Sequence, residues 1–139
     1  MLHIMTQTTG LRAATYSRYS SDNQRETSIE DQERLQDQRA DALGATIVLR
    51  YSDREISASV PTGKRPGGRE MLEAARRGDF DILIIECLDR CWRDIIDQEQ
   101  VIRGLEFIGL RLIGISDGYD TENEGRELPG VVYGAVNQE

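Results

Sequence analysis

Four short runs of apolar and β-branched residues, separated by segments with helical spacing, constrain this chain more than any other feature. The runs lie at 11–16, 45–51, 80–86 and 110–115. Residues 82–85 (Ile-Leu-Ile-Ile) are apolar throughout, the pattern of a strand covered on both faces in a parallel sheet. Between the runs, 28–43, 69–77 and 94–108 read as helices. Ser28 is placed to cap the first, with Asp31 at the capping-box position and Gly44 as its stop. The apolar stripe of that helix (Ile29, Leu35, Leu43) is thin, which suggests a solvated face. Gly78 and Gly109 close the other two helices. In 94–108, Ile95, Val101, Ile102, Leu105 and Ile108 recur at helical spacing, and Leu105, Phe107 and Ile108 are expected in the core or at a subunit interface. Strands alternating with helices predict an α/β fold: a mostly parallel central sheet of about four to five strands flanked by helices. A further helix is expected to start near Leu128 or Pro129.

The chain has 139 residues, enough for one domain with its own core. Residues 1–10 read as a short lead-in without the basic start and apolar stretch of a secretory signal, and 11–139 as the domain. Cys87 and Cys91 have no second pair to complete a four-ligand metal site, so free thiols in a reducing cytoplasm are expected. The net charge of −8 argues, taken alone, against nucleic acid as a partner, because affinity for DNA comes largely from neutralising phosphates.

In a parallel α/β sheet the functional groups gather beyond the carboxyl ends of the strands. That rule selects 17–24, 53–69 and 88–93, which hold Arg18, Arg65, Arg90 and Arg93, the serines Ser17, Ser20 and Ser21, and Asp89, an acid that reads as buried. Guanidinium groups grip phosphate oxygens through two parallel hydrogen bonds, so this cluster in an acidic chain reads as a phosphate-handling site. There is no Gly-rich phosphate loop ending in Lys-Ser or Lys-Thr. The one histidine, His3, sits in the lead-in, which excludes a Ser-His-Asp triad. Asp53, Asp81, Asp117 and Asp120 could bind magnesium, but no tight acidic pair lies among the arginines. The simplest remaining chemistry is a serine nucleophile supported by arginines.

The segment Tyr16-Ser17-Arg18-Tyr19-Ser20, followed by Gln24, resembles the Tyr-x-Arg-x-Ser…Gln opening of the serine recombinases. Ser28-Ile29-Glu30-Asp31-Gln32 is similar to their Ser-Ile-x-x-Gln element, and Lys64-Arg65-Pro66 to their Arg-Pro segment. Leu88-Asp89-Arg90-Cys91-Trp92-Arg93-Asp94 resembles their Leu-Asp-Arg-x-x-Arg-Asp motif. The four elements stand in family order, and the length of the 52–68 segment favours the large phage-type integrases. The resemblance implies a resolvase-like catalytic domain in which Ser20 attacks a DNA phosphodiester and stays joined to the 5′ phosphate, with no metal, ATP or other cofactor. It implies that Arg18, Arg65, Arg90 and Arg93 hold the phosphate and that Asp89 orients the arginines. Tyr16, Gln24 and Gln32 would add support. Its implied partners are DNA and further copies of the chain, as a dimer and then a synaptic tetramer, in a phage or bacterial cytoplasm. It also answers the charge objection: family members carry sequence recognition in a separate C-terminal region, and this chain is expected to be a catalytic piece.

Glu55 and Ala58 stand where the family motif Asp-x-Gly-x-Ser-Gly has glycines, and Trp92, in place of a small residue, reads as a surface or interface contact. Plainer readings of single residues stay open at this level. Ser20 could be a turn residue, Asp89 a helix N-cap, and Arg90 and Arg93 a solvated helix start. Two other functions also stay open: an arginine-lined phosphatase or metal-dependent nuclease, and a non-catalytic interaction module that binds an anion.

Overall fold

A computed structural model describes residues 10–20 and 27–122. Four strands, β1 (Arg12–Tyr19), β2 (Thr46–Arg54), β3 (Ile82–Ile85) and β4 (Arg111–Gly114), form one sheet in the order β2-β1-β3-β4. All three pairings are parallel. Helix α1 (Ile29–Leu43) lies against one face, where Ala40 and Leu43 meet Ala13, Ile82, Ile84 and Ile113. Helices α2 (Pro66–Arg77), α3 (Leu88–Cys91) and α4 (Ile95–Phe107) lie on the other, around Leu83, Ile85, Leu112 and Met71. The α/β expectation holds. The helix expected near residue 128 lies outside the described residues.

The caps read from sequence form as expected. The Ser28 hydroxyl accepts the Asp31 amide at 3.1 Å, and Gly44 and Gly78 take left-handed backbones at φ 75° and 78°. Pro66, which donates no backbone hydrogen bond, occupies the first turn of α2 and starts that helix three residues earlier than expected. The second strand bulges at Val48, whose extra residue exposes its side chain by 45% and interrupts a sheet edge that could otherwise pair with another strand.

Two expectations fail for physical reasons. The buried stripe of α1 is Ile29, Gln32, Gln36 and Ala40, not Ile29, Leu35 and Leu43, because this face meets exposed backbone of β1 and needs amides there. Trp92 is fully buried in the larger core cluster rather than at the surface. Phe107 is 90% exposed, which removes the core from its two expected places: at 100° per residue it points away from the face that Val101 and Leu105 bury.

Where α2 meets β2, two glycines allow backbones to touch. A Cβ on Gly67 would collide with the Ser52 carbonyl oxygen, and one on Gly68 with that of Thr62. Gly67→Ala should therefore lower the urea midpoint at constant m-value, a loss of about 1–3 kcal/mol. Cys91 is sealed in the core, and burial pushes its thiol up to about 12, whereas Cys87 is partly exposed. At pH 8 iodoacetamide should modify Cys87 and leave Cys91 intact, as read by peptide mass.

Candidate active site

The strand order turns back at β1: the chain passes from β1 to β2 on one side, then crosses to β3 on the other. This makes the carboxyl ends of β1 and β3 the topological switch point, where such sheets open a crevice. The opening is visible in the pairing. Strand β3 is bonded to β1 only at Ala13, Ala14 and Thr15, while β1 continues beside β2 to Tyr19. Beyond Thr15, polar groups of β1 are satisfied by α1. The Gln36 side chain donates to the Tyr16 carbonyl at 3.2 Å. The Gln32 amide accepts from the Arg18 N–H at 3.4 Å and donates to the Arg18 carbonyl at 2.9 Å and the Thr27 carbonyl at 2.8 Å. One glutamine thus ties together both ends of the segment between Arg18 and Thr27. Ser20 stands at the end of β1 in this segment, with 6% of its surface exposed. Gln24 lies outside the described residues.

The arginines divide into two kinds. Arg65 is fully buried, and its three guanidinium nitrogens donate to the Val60 carbonyl (2.9 Å), the Tyr16 hydroxyl (3.0 Å) and the Ala58 carbonyl (3.1 Å). Arg18, 3% exposed, donates to the Ile56 carbonyl at 2.6 Å and the Arg90 carbonyl at 2.9 Å. Both therefore hold the backbone of the loop that follows β2. That loop is further fixed by the Arg93 amide, which donates to the Ala58 carbonyl at 3.1 Å. Arg90 and Arg93 are instead exposed at the crevice rim. The Arg90 guanidinium is anchored on one side, to Glu86 at 3.1 Å and the Thr27 hydroxyl at 3.3 Å. The Arg93 side chain has no polar partner among the described residues.

Asp89 departs from expectation. It is exposed rather than buried, and it makes no hydrogen bond to an arginine among the described residues. The short helix α3 turns position 89 outward, whereas Cys91 and Trp92 turn inward. Two other acids are buried near the strand ends, and one of them, Glu86, pairs with an arginine. Asp53, 4% exposed, accepts the Gly67 and Gly68 amides at 2.8 and 2.9 Å and the Tyr16 hydroxyl at 2.7 Å. Glu86, 7% exposed, accepts from Thr27 and Arg90. Each lies at or just past the carboxyl end of a strand, a position the sheet rule could have flagged. Burial raises the Tyr16 phenol above its ordinary value against the lowering effect of Arg65, so it stays a neutral donor to Asp53.

The loop after β2 keeps a left-handed backbone at Glu55, φ 57°, the position of a glycine in the family motif. A side chain is accommodated there without losing the left-handed turn, a conformation that disfavours most L-residues by roughly 1–2 kcal/mol.

The carboxyl end of β1 thus carries a buried serine, two buried arginines brace the loop after β2, and Arg90 and Arg93 are exposed in the segment after β3. A family model for the resolvase N-terminal domain matches residues 13–139. The chain belongs to this family and is a recombinase domain. The N-terminal catalytic domain of TP901-1 integrase has a similar structure, with TM-score 0.78 and 22% identity over 91% of this chain and 94% of that one. The C-terminal catalytic domain of an IS607-like serine recombinase gives 0.67 and 20%, over 88% and 79%. A resolvase-family site-specific recombinase from Streptococcus pneumoniae gives 0.66 and 20%, over 92% and 89%. At these identities the likeness is one of fold. No curated protein matches the chain in sequence.

The hydrogen bonds rank the two aspartates. Asp53→Ala leaves two helix-terminal amides and a buried phenol without their acceptor, so it should destabilise the chain by about 2–4 kcal/mol in chemical unfolding. Asp89→Ala should stay within about 0.5 kcal/mol of the parent.

Proposed function

We propose that this domain cuts and rejoins DNA through a covalent link at Ser20, in the manner of a large phage-type serine integrase. The observation that carries the reading is the position of Ser20. It directly follows β1 at the switch point, two residues after a buried arginine whose side chain holds the Arg90 carbonyl. In the reaction, the Ser20 Oγ–P bond forms as the P–O3′ bond breaks. The serine loses its proton and the departing 3′ oxygen gains one. One phosphate ester replaces another, so resealing needs neither ATP nor metal.

The roles of the arginines follow from their partners. Arg90 and Arg93 reach a DNA phosphate from the rim, where guanidinium groups stabilise the charge that builds on phosphorus. Arg18 lies nearest Ser20 in the chain and adds positive charge beneath it. Arg65, with every nitrogen engaged, acts first as the brace of the 55–60 loop and meets phosphate only if it releases Ala58 or Val60. Gln32 sets the ends of the Ser20 segment, and Gln24 would add polar support at the phosphate. Self-association into a dimer and a synaptic tetramer is supported by the apolar side chains that α4 exposes, Ile95, Ile96 and Phe107.

The test is covalent capture. The protein is mixed, without divalent metal, with a randomised duplex pool carrying one 3′-bridging phosphorothiolate each, whose cleavage is hard to reverse, and is then denatured. The expected product is DNA joined through its 5′ phosphate to the Ser20 peptide, absent from Ser20→Ala. Cleavage that persists in Ser20→Ala, cleavage that needs magnesium and leaves free ends, or no adduct at all would each overturn the proposal.

A further inference from the structure

The residue that should orient the rim arginine is a carboxylate, and Asp89 does not touch it. Glu86 does. It directly follows β3, its side chain is 9% exposed, and its Oε2 accepts both the Arg90 Nη1 at 3.1 Å and the Thr27 hydroxyl at 3.0 Å. Arg90 Nη1 also reaches the Thr27 hydroxyl, so the three side chains close on one another. Thr27 stands at the far end of the segment that carries Ser20, and its carbonyl is held by Gln32. The Arg90 carbonyl, in turn, is held by the Arg18 side chain.

We infer that Glu86 is a positioning residue of this site: it fixes the Arg90 guanidinium by one edge, and couples it to the Ser20 segment through Thr27. The inference rests on the recombinase reading above. Three physical points carry it. The Arg90 side chain is 48% exposed and would otherwise sample many rotamers. Anchoring through Nη1 alone leaves its other nitrogens, which have no partner among the described residues, to meet phosphate. Finally, a buried carboxylate paired with a guanidinium adds no net negative charge to a surface that must receive a polyanion. Among the described residues, Glu86 is the acid that pairs with Arg90, and it does so from held strand-end backbone: Ser116 donates both its amide and its hydroxyl to the Glu86 carbonyl, at 2.8 and 3.1 Å.

The experiment is a double-mutant cycle in the covalent-capture assay, with thermal unfolding of each variant as the check on folding. Glu86→Gln should slow formation of the Ser20 adduct by about 10- to 100-fold, the usual result of misplacing a reacting group by a fraction of an ångström to an ångström. The DNA concentration at half-saturation should change less than about twofold, because the loss falls on the transition state rather than on binding. In an Arg90→Ala background, Glu86→Gln should add no further slowing, since Glu86 would act through Arg90. An unchanged rate in Glu86→Gln, or the same slowing with and without Arg90, overturns the assignment; the latter would mark Glu86 as structural. If the parent protein forms no Ser20 adduct, the recombinase reading has failed. The Glu86 assignment is then read from the order of the Arg90 side chain, by the heteronuclear NOE of its Nε–H signal in 15N spectra. Glu86→Gln should lower that NOE as the guanidinium loses its anchor, and an unchanged NOE would overturn the assignment.

Discussion

Three donors converge on the carboxylate of Asp53, and much of the site hangs from them. The two amides that begin α2 and the phenol of Tyr16 all end on this one buried group. A helix N-terminus carries partial positive charge and unsatisfied N–H groups, so the carboxylate and the helix stabilise each other. The phenol hands the arrangement on: it donates to Asp53 and accepts from Arg65, which then holds Ala58 and Val60. The close approach of Gly67 to β2 is a condition of this geometry, since a Cβ there would push the helix start away from its acceptor.

The same logic of satisfying stranded backbone explains the other side of the crevice. A switch point separates two strands, and separation leaves strand groups without partners. Here Gln32 and Gln36 fill that need, one turn apart on α1. The helix face that looks too polar to be buried is polar because it faces this gap. Amides serve here as structural parts, and such residues resemble solvent-facing ones when read by hydropathy alone.

The arginines illustrate how a single residue type takes on two tasks. A guanidinium has five donors, more than one phosphate can use, and carbonyls in a tight loop are ready acceptors. Arg18 and Arg65 are drawn to the Ile56, Ala58 and Val60 carbonyls, while Arg90 and Arg93 stay at the rim. The four are equivalent as letters in a motif. Burial distinguishes them.

Local patterns were enough to establish the alternating elements, the caps at Ser28, Gly44 and Gly78, and the gathering of arginines at the strand ends. These depend on neighbours three or four residues away, on φ preferences and on the apolar period, all of which a linear chain carries within itself. The four ordered motifs likewise sufficed for the family. Tertiary structure alone decided that Trp92 is core, that Asp89 faces out, and that Asp53 and Glu86 are the acids at the centre. A side chain's burial and its partners depend on which distant segments the crossover from β2 to β3 brings beside it. Asp53 meets Tyr16 across 37 residues and Thr27 meets Glu86 across 59, separations over which no local pattern carries information.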